Sequence, residues 1–349
     1  MSVYIQSASQ ISAQSPLSDA WFDAPVWHEG KRIASRDPNF AASLSPVQSR
    51  RMCSLLKRVI VTSRATLKAA GVEMPDAIIS GTGLGCIDNT EKFLHSMLEN
   101  GEQYLQPTYF MQSTHNIISS LIAIDLKCHG YNNTFVHRGV SFEHALLDAL
   151  FQFRQRRIRT ALVGGYDELT DDYYIFLGRL GLWDFTYRAA TSPKQKCFAG
   201  ETAVSLLLGA EQNERSLCEI NGVEIMYRPS ETQLRQTLDA LLAQAGCSLR
   251  DVDAVMVGID NNRSNDSVYE DAAARLFAGL PVAQYKHLFG QSFTSSATGI
   301  YAAVTCLRHQ RIPGHMMADR EEGLGHAARI LFYNHYDNKS HTLTLLSRC

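Results

Sequence analysis

Three side chains able to carry a proton or attack a carbonyl, His137, Ser141 and His144, fall close together in the stretch GYNNTFVHRGVSFEHALLDAL at 130–150. Thr134, Phe135 and Val136 are β-formers, and Phe142, Ala145, Leu146, Ala149 and Leu150 recur at helical spacing. The stretch therefore predicts a strand, a sharp turn at 137–141 and a buried helix. Such a turn aims its apical side chain at unpaired N–H groups and the positive end of the helix dipole, which favour a thiolate or an oxyanion. The residue at the apex is Gly139, which has no side chain to offer. Ser141 reads as a cap whose hydroxyl satisfies a helix N–H, and His144, one turn further in, reads as structural. The alternative is a site in which His137, Ser141 and His144 act together as nucleophile and base.

The elements around this turn must supply a large core. The chain has 349 residues, 45% of them hydrophobic, enough for two packed lobes. A formal net charge of −2 excludes a dominant nucleic-acid or membrane-surface role, since both want a basic face. The expected partners are proteins or neutral ligands. No apolar run is long enough to span a bilayer, and the first residues have neither a basic start nor an apolar signal core, so the expected compartment is the cytoplasm. The eight cysteines form no CxxC pair and no Cys/His metal spacing, so they read as small buried apolar residues and no metal site is expected.

In chain order, a polar opening is followed by a helical stripe at 46–70, a short buried strand at 76–81 and a helix at 89–99. The intervening Gly81-Thr-Gly-Leu-Gly85 approaches a dinucleotide-binding frame, which would require glycine where Cys86 stands, so a plain turn is the better reading. Residues 106–127 read as a loop and an apolar helix, and RIRTALVGGYD at 157–167 as a central strand. The aromatic segment 169–190, with Tyr173, Tyr174, Phe176, Trp183, Phe185 and Tyr187, would cover a site like a lid, although ring packing in a core explains most of it. A strand is expected at 198–208. Further strands near 218–226, 254–259 and 328–333 alternate with helices at 230–245 and beyond, repeating the order of the first half. Alternation of this kind implies a parallel sheet covered by helices.

These motifs resemble the β-ketoacyl-acyl carrier protein synthases of the thiolase fold, over about residues 76–332. In that family a glycine opens the strand, the nucleophilic cysteine comes nine residues later and a histidine five residues after that. Gly130, Gly139 and His144 keep the frame and lose the cysteine. The resemblance implies an α/β, five-layer αβαβα fold made of two similar halves, divided here as 1–215 and 216–349. FAGETAVSLLL matches the family's glycine-glutamate motif through Gly200 and Glu201. The wording FMQSTHN, KCHGYNN and HRGVSFE is similar to the ketosynthase-like proteins of aryl polyene and flexirubin pigment clusters.

The decarboxylating members use two histidines beside the cysteine to stabilise an enolate. Where the first should stand, before the closing Asp266, the nearest equivalent is Asp260, a carboxylate that would repel an enolate. Where the second should stand, after Lys286 and Gly290, the chain has Gln291, which donates a hydrogen bond but cannot relay a proton. Lys286 itself is retained. The family's acyl-gating loop is matched to Gly323, Leu324, Gly325 and His326, and the interface and acyl tunnel to Phe110, Met111, His115 and Ile117, with His115 expected as a hydrogen-bonded interface histidine.

The implied protein is a degenerate ketosynthase, akin to the chain-length factor that pairs with an active ketosynthase in type II polyketide systems and walls the shared tunnel. Its partners would be a catalytic ketosynthase in a heterodimer, or a second copy in a homodimer, and an acyl carrier protein. It would bind no cofactor itself; the phosphopantetheine belongs to the carrier protein. If no nucleophile stands at the turn, iodoacetamide or cerulenin will leave the peptide spanning Gly139 unmodified. Activity of the assembled complex will then follow the partner's cysteine alone. Mass mapping of the treated protein checks this, and adducts on that peptide would refute it.

Overall fold

The computed structural model describes residues 2–29, 31–101, 103–181, 199–318 and 320–349. Ten strands form one hydrogen-bonded sheet: β1 (Val3–Ile11), β2 (Ala77–Gly81), β3 (Tyr131–Phe135), β4 (Thr160–Asp167), β5 (Thr202–Gly209), β6 (Cys218–Tyr227), β7 (Ala254–Val257), β8 (Val282–Gln284), β9 (Arg329–Tyr336) and β10 (Ser340–Ser347). Around it lie α1 (Pro46–Ser49), α2 (Ser54–Ala70), α3 (Ile87–Asn100), α4 (Pro107–Ser113), α5 (Ile117–Leu126), α6 (Ser141–Arg154), α7 (Asp171–Arg179), α8 (Glu231–Gln244), α9 (Arg263–Arg275), α10 (Lys286–Phe289) and α11 (Ser295–His309).

The strand order β3-β2-β4-β5-β1-β6-β10-β9-β7-β8 is a duplication read inward from both edges. In each half a parallel pair at the edge joins a second parallel neighbour, and two antiparallel strands follow. The halves meet where β1 and β6 run antiparallel over Val3↔Ile220, Tyr4↔Glu219 and Ile5↔Cys218.

Both faces of the central strands are apolar, and successive residues serve different layers. Ala77, Ile79, Ala161, Val163, Ala254 and Met256 share one core with α6 and α11, which lie between the halves. Ile78 and Leu162 point the other way, into a core with α2 and α5. Val255, Val257 and Leu331 do the same against α8 and α9. The result is helix, sheet, helix, sheet, helix. Phe142, Ala145, Leu146, Ala149 and Phe153 of α6 are all fully buried, and burial of each large apolar side chain is worth about 1.5–3 kcal/mol. Gly81, at the end of β2, lets α6 come close: a side chain there would meet the backbone of Ser141 and Phe142 at 2.6 Å.

Several elements depart from the sequence expectation. The polar opening holds a strand: β1 is an inner strand carrying buried polar residues, among them Ser7, which donates to the Thr66 carbonyl at 2.8 Å, and Gln10, which donates to the Ser15 carbonyl at 2.8 Å. The expected single helix at 46–70 is broken, because Cys53 adopts an extended conformation (φ −67°, ψ 171°) ahead of α2. The run at 106–127 forms two helices, α4 and α5. β8, β10 and α11 had no counterpart in the sequence reading. All residues of α11 from Ser295 to Leu307 are buried, so it has no polar face to mark a helical period. Of the cysteines, Cys53, Cys86, Cys128, Cys218 and Cys306 are buried, Cys247 is half-buried and Cys349 is exposed; Cys197 lies outside the described residues. Among the described residues no helix is long and apolar enough to cross a membrane.

Glu143 of α6 ties the middle layer to the second half. Its carboxyl accepts from Asn334 Nδ2 (2.6 Å), Ser296 Oγ (3.0 Å) and Thr342 Oγ1 (3.3 Å), and complete burial pushes its pKa up. Glu143→Ala strands these donors and should cost about 2–4 kcal/mol, whereas Glu143→Gln, which can still accept from Asn334, should lose less than half of that. Urea unfolding followed by circular dichroism distinguishes the two.

Candidate functional site

The site is assembled at the ends of the strands that continue into the middle helices. Asp167, the last residue of β4, is buried and accepts five hydrogen bonds: from Thr82 Oγ1, Gly83 N and Leu84 N on one oxygen, and from Thr294 N and Oγ1 on the other, all between 2.8 and 3.1 Å. Burial raises its pKa, while these donors hold the charged form. The amides of the glycine loop are thus spent inside the chain, Gly83 and Leu84 on Asp167, Thr82 on the Phe135 carbonyl and Gly85 on the Thr82 hydroxyl, which is why that loop is a turn and no phosphate cradle. The next residue, Glu168, accepts from the N–H groups of Leu55 (3.3 Å) and Asp88 (3.1 Å) and so fixes the starts of α2 and α3.

Above Asp167 lies a cavity of about 250 Å³. Leu84, Leu177, Leu180 and Phe293 give it apolar walls, and Asn262, Asn265, Lys286 and Gln291 give it a polar side. The turn at 137–141 reaches this region from below. A first side-chain carbon on Gly139 would lie 2.8 Å from Tyr336 Cγ and 2.9 Å from its Cβ, and closer still to Cδ2. The Tyr336 ring therefore fills the place where a residue at the apex would project its side chain. Ser141 is fully buried; its hydroxyl accepts from the His137 N–H (2.7 Å) and donates to the Arg138 carbonyl (2.8 Å). It ties the turn to itself and caps no helix N–H, contrary to the expectation. His137 and His144 are stacked with ring centroids 4.2 Å apart, and His144 Nδ1 donates to the Val140 carbonyl at 2.9 Å. Burial, with His144 alongside, lowers the His137 pKa. These two rings line a separate cleft beyond Tyr336, so the structure does not bring them to the cavity.

Asp260 and Lys286 form a buried ion pair at 3.4 Å. The Asp260 carboxylate also accepts from Asn265 Nδ2 (3.1 Å) and the Asn262 N–H (3.2 Å), while Asp266 accepts from the Asp260 N–H (2.9 Å). Asp260 thus shapes the loop at 260–266 and neutralises Lys286, and it does not line the cavity itself. Gln291 does; its Oε1 accepts from Ser295 Oγ at 3.1 Å, and its backbone is held by the Gly200 N–H at 2.9 Å. Glu201, beside Gly200, accepts from the Ser35 N–H at 2.9 Å and pairs with Arg58 at 3.0 Å.

Other expected positions lie elsewhere. None of Gly323, Leu324, Gly325 and His326 lines the cavity: Leu324 pairs with Ile312, and the His326 side chain is 71% exposed near Asp253. The turn that reaches the cavity is the β9–β10 hairpin, with His335, Tyr336 and Asp337. In its three-residue connection, 337–339, Asp337 and Asn338 are both left-handed (φ 53° and 48°), and the Lys339 N–H donates to the Tyr336 carbonyl at 3.0 Å. His335 is neutral and locked: burial pushes its pKa down to about 3, Nε2 donates to the Asn265 carbonyl at 3.0 Å and Nδ1 accepts from the Asn338 N–H at 3.3 Å. Phe110 and Met111 are exposed, Ile117 packs partly against the α2 core, and His115 lies exposed over Gly85 with no hydrogen bond to a described residue. Of the aromatic segment, Tyr173 and Tyr174 pack beside the cavity wall and Phe176 is exposed; Trp183, Phe185 and Tyr187 lie outside the described residues.

A layered α/β fold with a cavity at the start of its middle helices defines the thiolase class. The family profile described as "Beta-ketoacyl synthase, N-terminal domain" matches residues 21–215. The chain belongs to the β-ketoacyl synthase family. Among solved structures it is similar to the ishigamide ketosynthase/chain length factor (TM-score 0.83, 15% identity, covering 100% of this chain and 99% of that one). It is also similar to a β-ketoacyl synthase from Burkholderia phymatum STM815 (0.82, 14%, 100% and 99%). A third is the complex of the ketosynthase ApeO with its chain length factor ApeC from Xenorhabdus doucetiae (0.79, 14%, 100% and 98%). A comparison with curated proteins gave no match.

Gly139 and Tyr336 exclude each other sterically, which gives a double-mutant test. Gly139→Cys alone should destabilise the fold by about 1–3 kcal/mol through overpacking. Tyr336→Ala should recover most of that loss in the double variant, and the freed thiol should then react with iodoacetamide. Equal destabilisation with and without Tyr336 would contradict the packing described. Neither variant should condense acyl units unaided, because losing a single oxyanion donor typically costs about 10²–10³ in rate.

Proposed function

We propose that this chain is a non-condensing, chain-length-factor-like subunit. It pairs with a catalytic ketosynthase and helps wall the path of a growing chain carried on an acyl carrier protein, in aryl polyene, polyketide or fatty-acid-like biosynthesis. The observation that carries the reading is the Tyr336 ring in the place of the apical side chain. It leaves a family fold with a formed cavity and, among the described residues lining it, no nucleophile paired with a base. The fold is kept and the chemistry is not, so what remains is binding and assembly. No cofactor is required of this chain; the phosphopantetheine arm would come with the carrier protein.

The surface supports a partner. The two edge strands of the sheet are equivalent in topology and differ in finish. β8 is shielded by Ala283↔Met317 pairing and by the Ala318 N–H donating to the Val282 carbonyl at 2.9 Å. β3 has no described strand on its outer side. An unpaired edge is a template for another chain. Near it stand Phe110 and Met111 on α4 and Ile124 on α5, each more than half exposed. The second reading, acyl transfer through Ser141, has no support in the geometry, because that hydroxyl is buried and both its bonds are spent inside the turn.

The test is co-expression with the ketosynthase encoded beside it. Met111→Trp should leave the complex assembled and shorten its product. Ile117 is partly buried, so the disrupting charge is better placed at Ile124, 72% exposed. Ile124→Asp should leave the monomer folded and abolish assembly, since a charge within an apolar interface of about 2,000 Å² or more is costly. Unchanged product length with Met111→Trp, together with an intact Ile124→Asp complex, would remove the basis for the proposal.

A further inference from the structure

The break between α1 and α2 leaves Cys53 at the start of a 17-residue helix, and Cys86 stands at the same place ahead of the 14-residue α3. The two are 33 residues apart in the chain and meet in space: the Cys86 thiol lies against the Cys53 sulfur, inside the core that α2 and α5 share with the sheet. We propose that Cys53 and Cys86 are an oxidisable dithiol, in which Cys53 reacts with a hydroperoxide and Cys86 resolves the product into a disulfide. This inference goes beyond the subunit reading and does not depend on it.

The meeting of the two sulfurs is fixed by the fold. The Glu168 carboxyl accepts from the Leu55 N–H at 3.3 Å and from the Asp88 N–H at 3.1 Å, each two residues beyond one of the cysteines. One side chain therefore holds both helix starts side by side, and the cysteines that precede them stay together while both bonds hold. A disulfide here would staple α2 to α3 across Glu168, which also lines the cavity.

The two thiols differ in access and in chemistry. Cys53 is 9% exposed and flanked by exposed Arg51 and Ser54, whereas Cys86 is fully buried, so a small peroxide reaches only the first. The amides of Leu55 and Leu56 face the Cys53 sulfur, and the start of a helix favours negative charge there. Contact with Cys86 holds the Cys53 pKa down, and the same contact, with burial, pushes the Cys86 pKa well up. The thiolate is the nucleophile in this chemistry, so the accessible sulfur is also the activated one. By contrast, Cys218 and Cys306 are fully buried with their pKa raised, and Cys128 donates to the Pro75 carbonyl at 3.3 Å.

The Cys53 thiolate attacks one oxygen of the hydroperoxide. An S–O bond forms, the O–O bond breaks, and the departing oxygen takes up the proton that Cys53 had released. Cys86 then gives up its proton, and its sulfur attacks the sulfenic acid at Cys53. The S–S bond forms, the S–O bond breaks, and the hydroxyl leaves with that proton as water. The thiols lose two electrons, and the peroxide gains them.

The experiment uses the full chain without a partner, reduced with dithiothreitol, freed of it and treated with hydrogen peroxide. N-ethylmaleimide then blocks the remaining thiols in denaturant, and mass mapping of the digest locates the bonds. The expected product is a linked Cys53–Cys86 peptide with the loss of both its maleimide adducts, and dithiothreitol should restore both thiols. Cys86→Ser removes the resolving thiol, so peroxide should leave a sulfenic acid at Cys53 that dimedone traps. Cys53→Ser should leave Cys86 unoxidised at a dose that oxidises the exposed Cys349. Both thiols intact in the parent at that dose, a bond from either to a different cysteine, or dimedone on Cys86 in place of Cys53 would overturn the proposal. The first two of these outcomes are read on the parent chain and need no variant to fold.

Discussion

The Asp167 carboxylate is the constraint on which the site depends. A buried charge is tolerable only when its hydrogen-bonding capacity is filled, and here the filling groups come from the loop after β2 and from the residue preceding α11, in opposite halves of the chain. One side chain thereby sets where the glycine loop sits and where a middle helix begins. Glu168 extends the arrangement to the starts of α2 and α3. Both carboxyls have their pKa raised by burial; at Glu168 the neighbouring Cys53, Asp88 and Glu201 raise it further, whereas at Asp167 the surrounding donors offset the desolvation.

The same economy holds at the positions where the family resemblance places reactive groups. At each position where a reactive group is expected, the replacement is integrated into packing or bonding. Gly139 admits the Tyr336 ring, Asp260 holds Lys286 and the loop before α9, and Gln291 anchors Ser295 at the first turn of α11. Breaking a buried pair such as Asp260–Lys286 leaves an uncompensated charge and typically costs about 3–5 kcal/mol. These residues are therefore part of the stability of the protein, and single changes at them meet a structural barrier.

The duplicated topology has a further consequence. Two halves with the same strand order would present two equivalent edges, yet the segment around Met317 covers β8, while β3 has no described strand on its outer side. The two edges of the described sheet are therefore finished differently. α5, which packs on β3, exposes Ile124, and the adjoining α4 exposes Phe110 and Met111.

The sequence by itself determined the fold class and the absence of a side chain at the apex of the turn at 137–141. Apolar runs at β2, β4 and β7, the strand–turn–helix at 130–150 and the glycine at its apex are local facts, and alternating strands and helices leave few topologies. What the sequence did not determine has two physical causes. Elements buried on all sides, such as α11, or carrying buried polar residues, such as β1, show no periodic contrast with water. Pairings between distant residues have no local signature at all: Tyr336 meets Gly139 across nearly two hundred residues, and the hairpin at 336–339, not the glycines at 323–325, reaches the cavity. Residue type and spacing could say that the apex of the turn is empty. Only the tertiary structure could say what fills it, because that depends on which strand end the layers bring alongside.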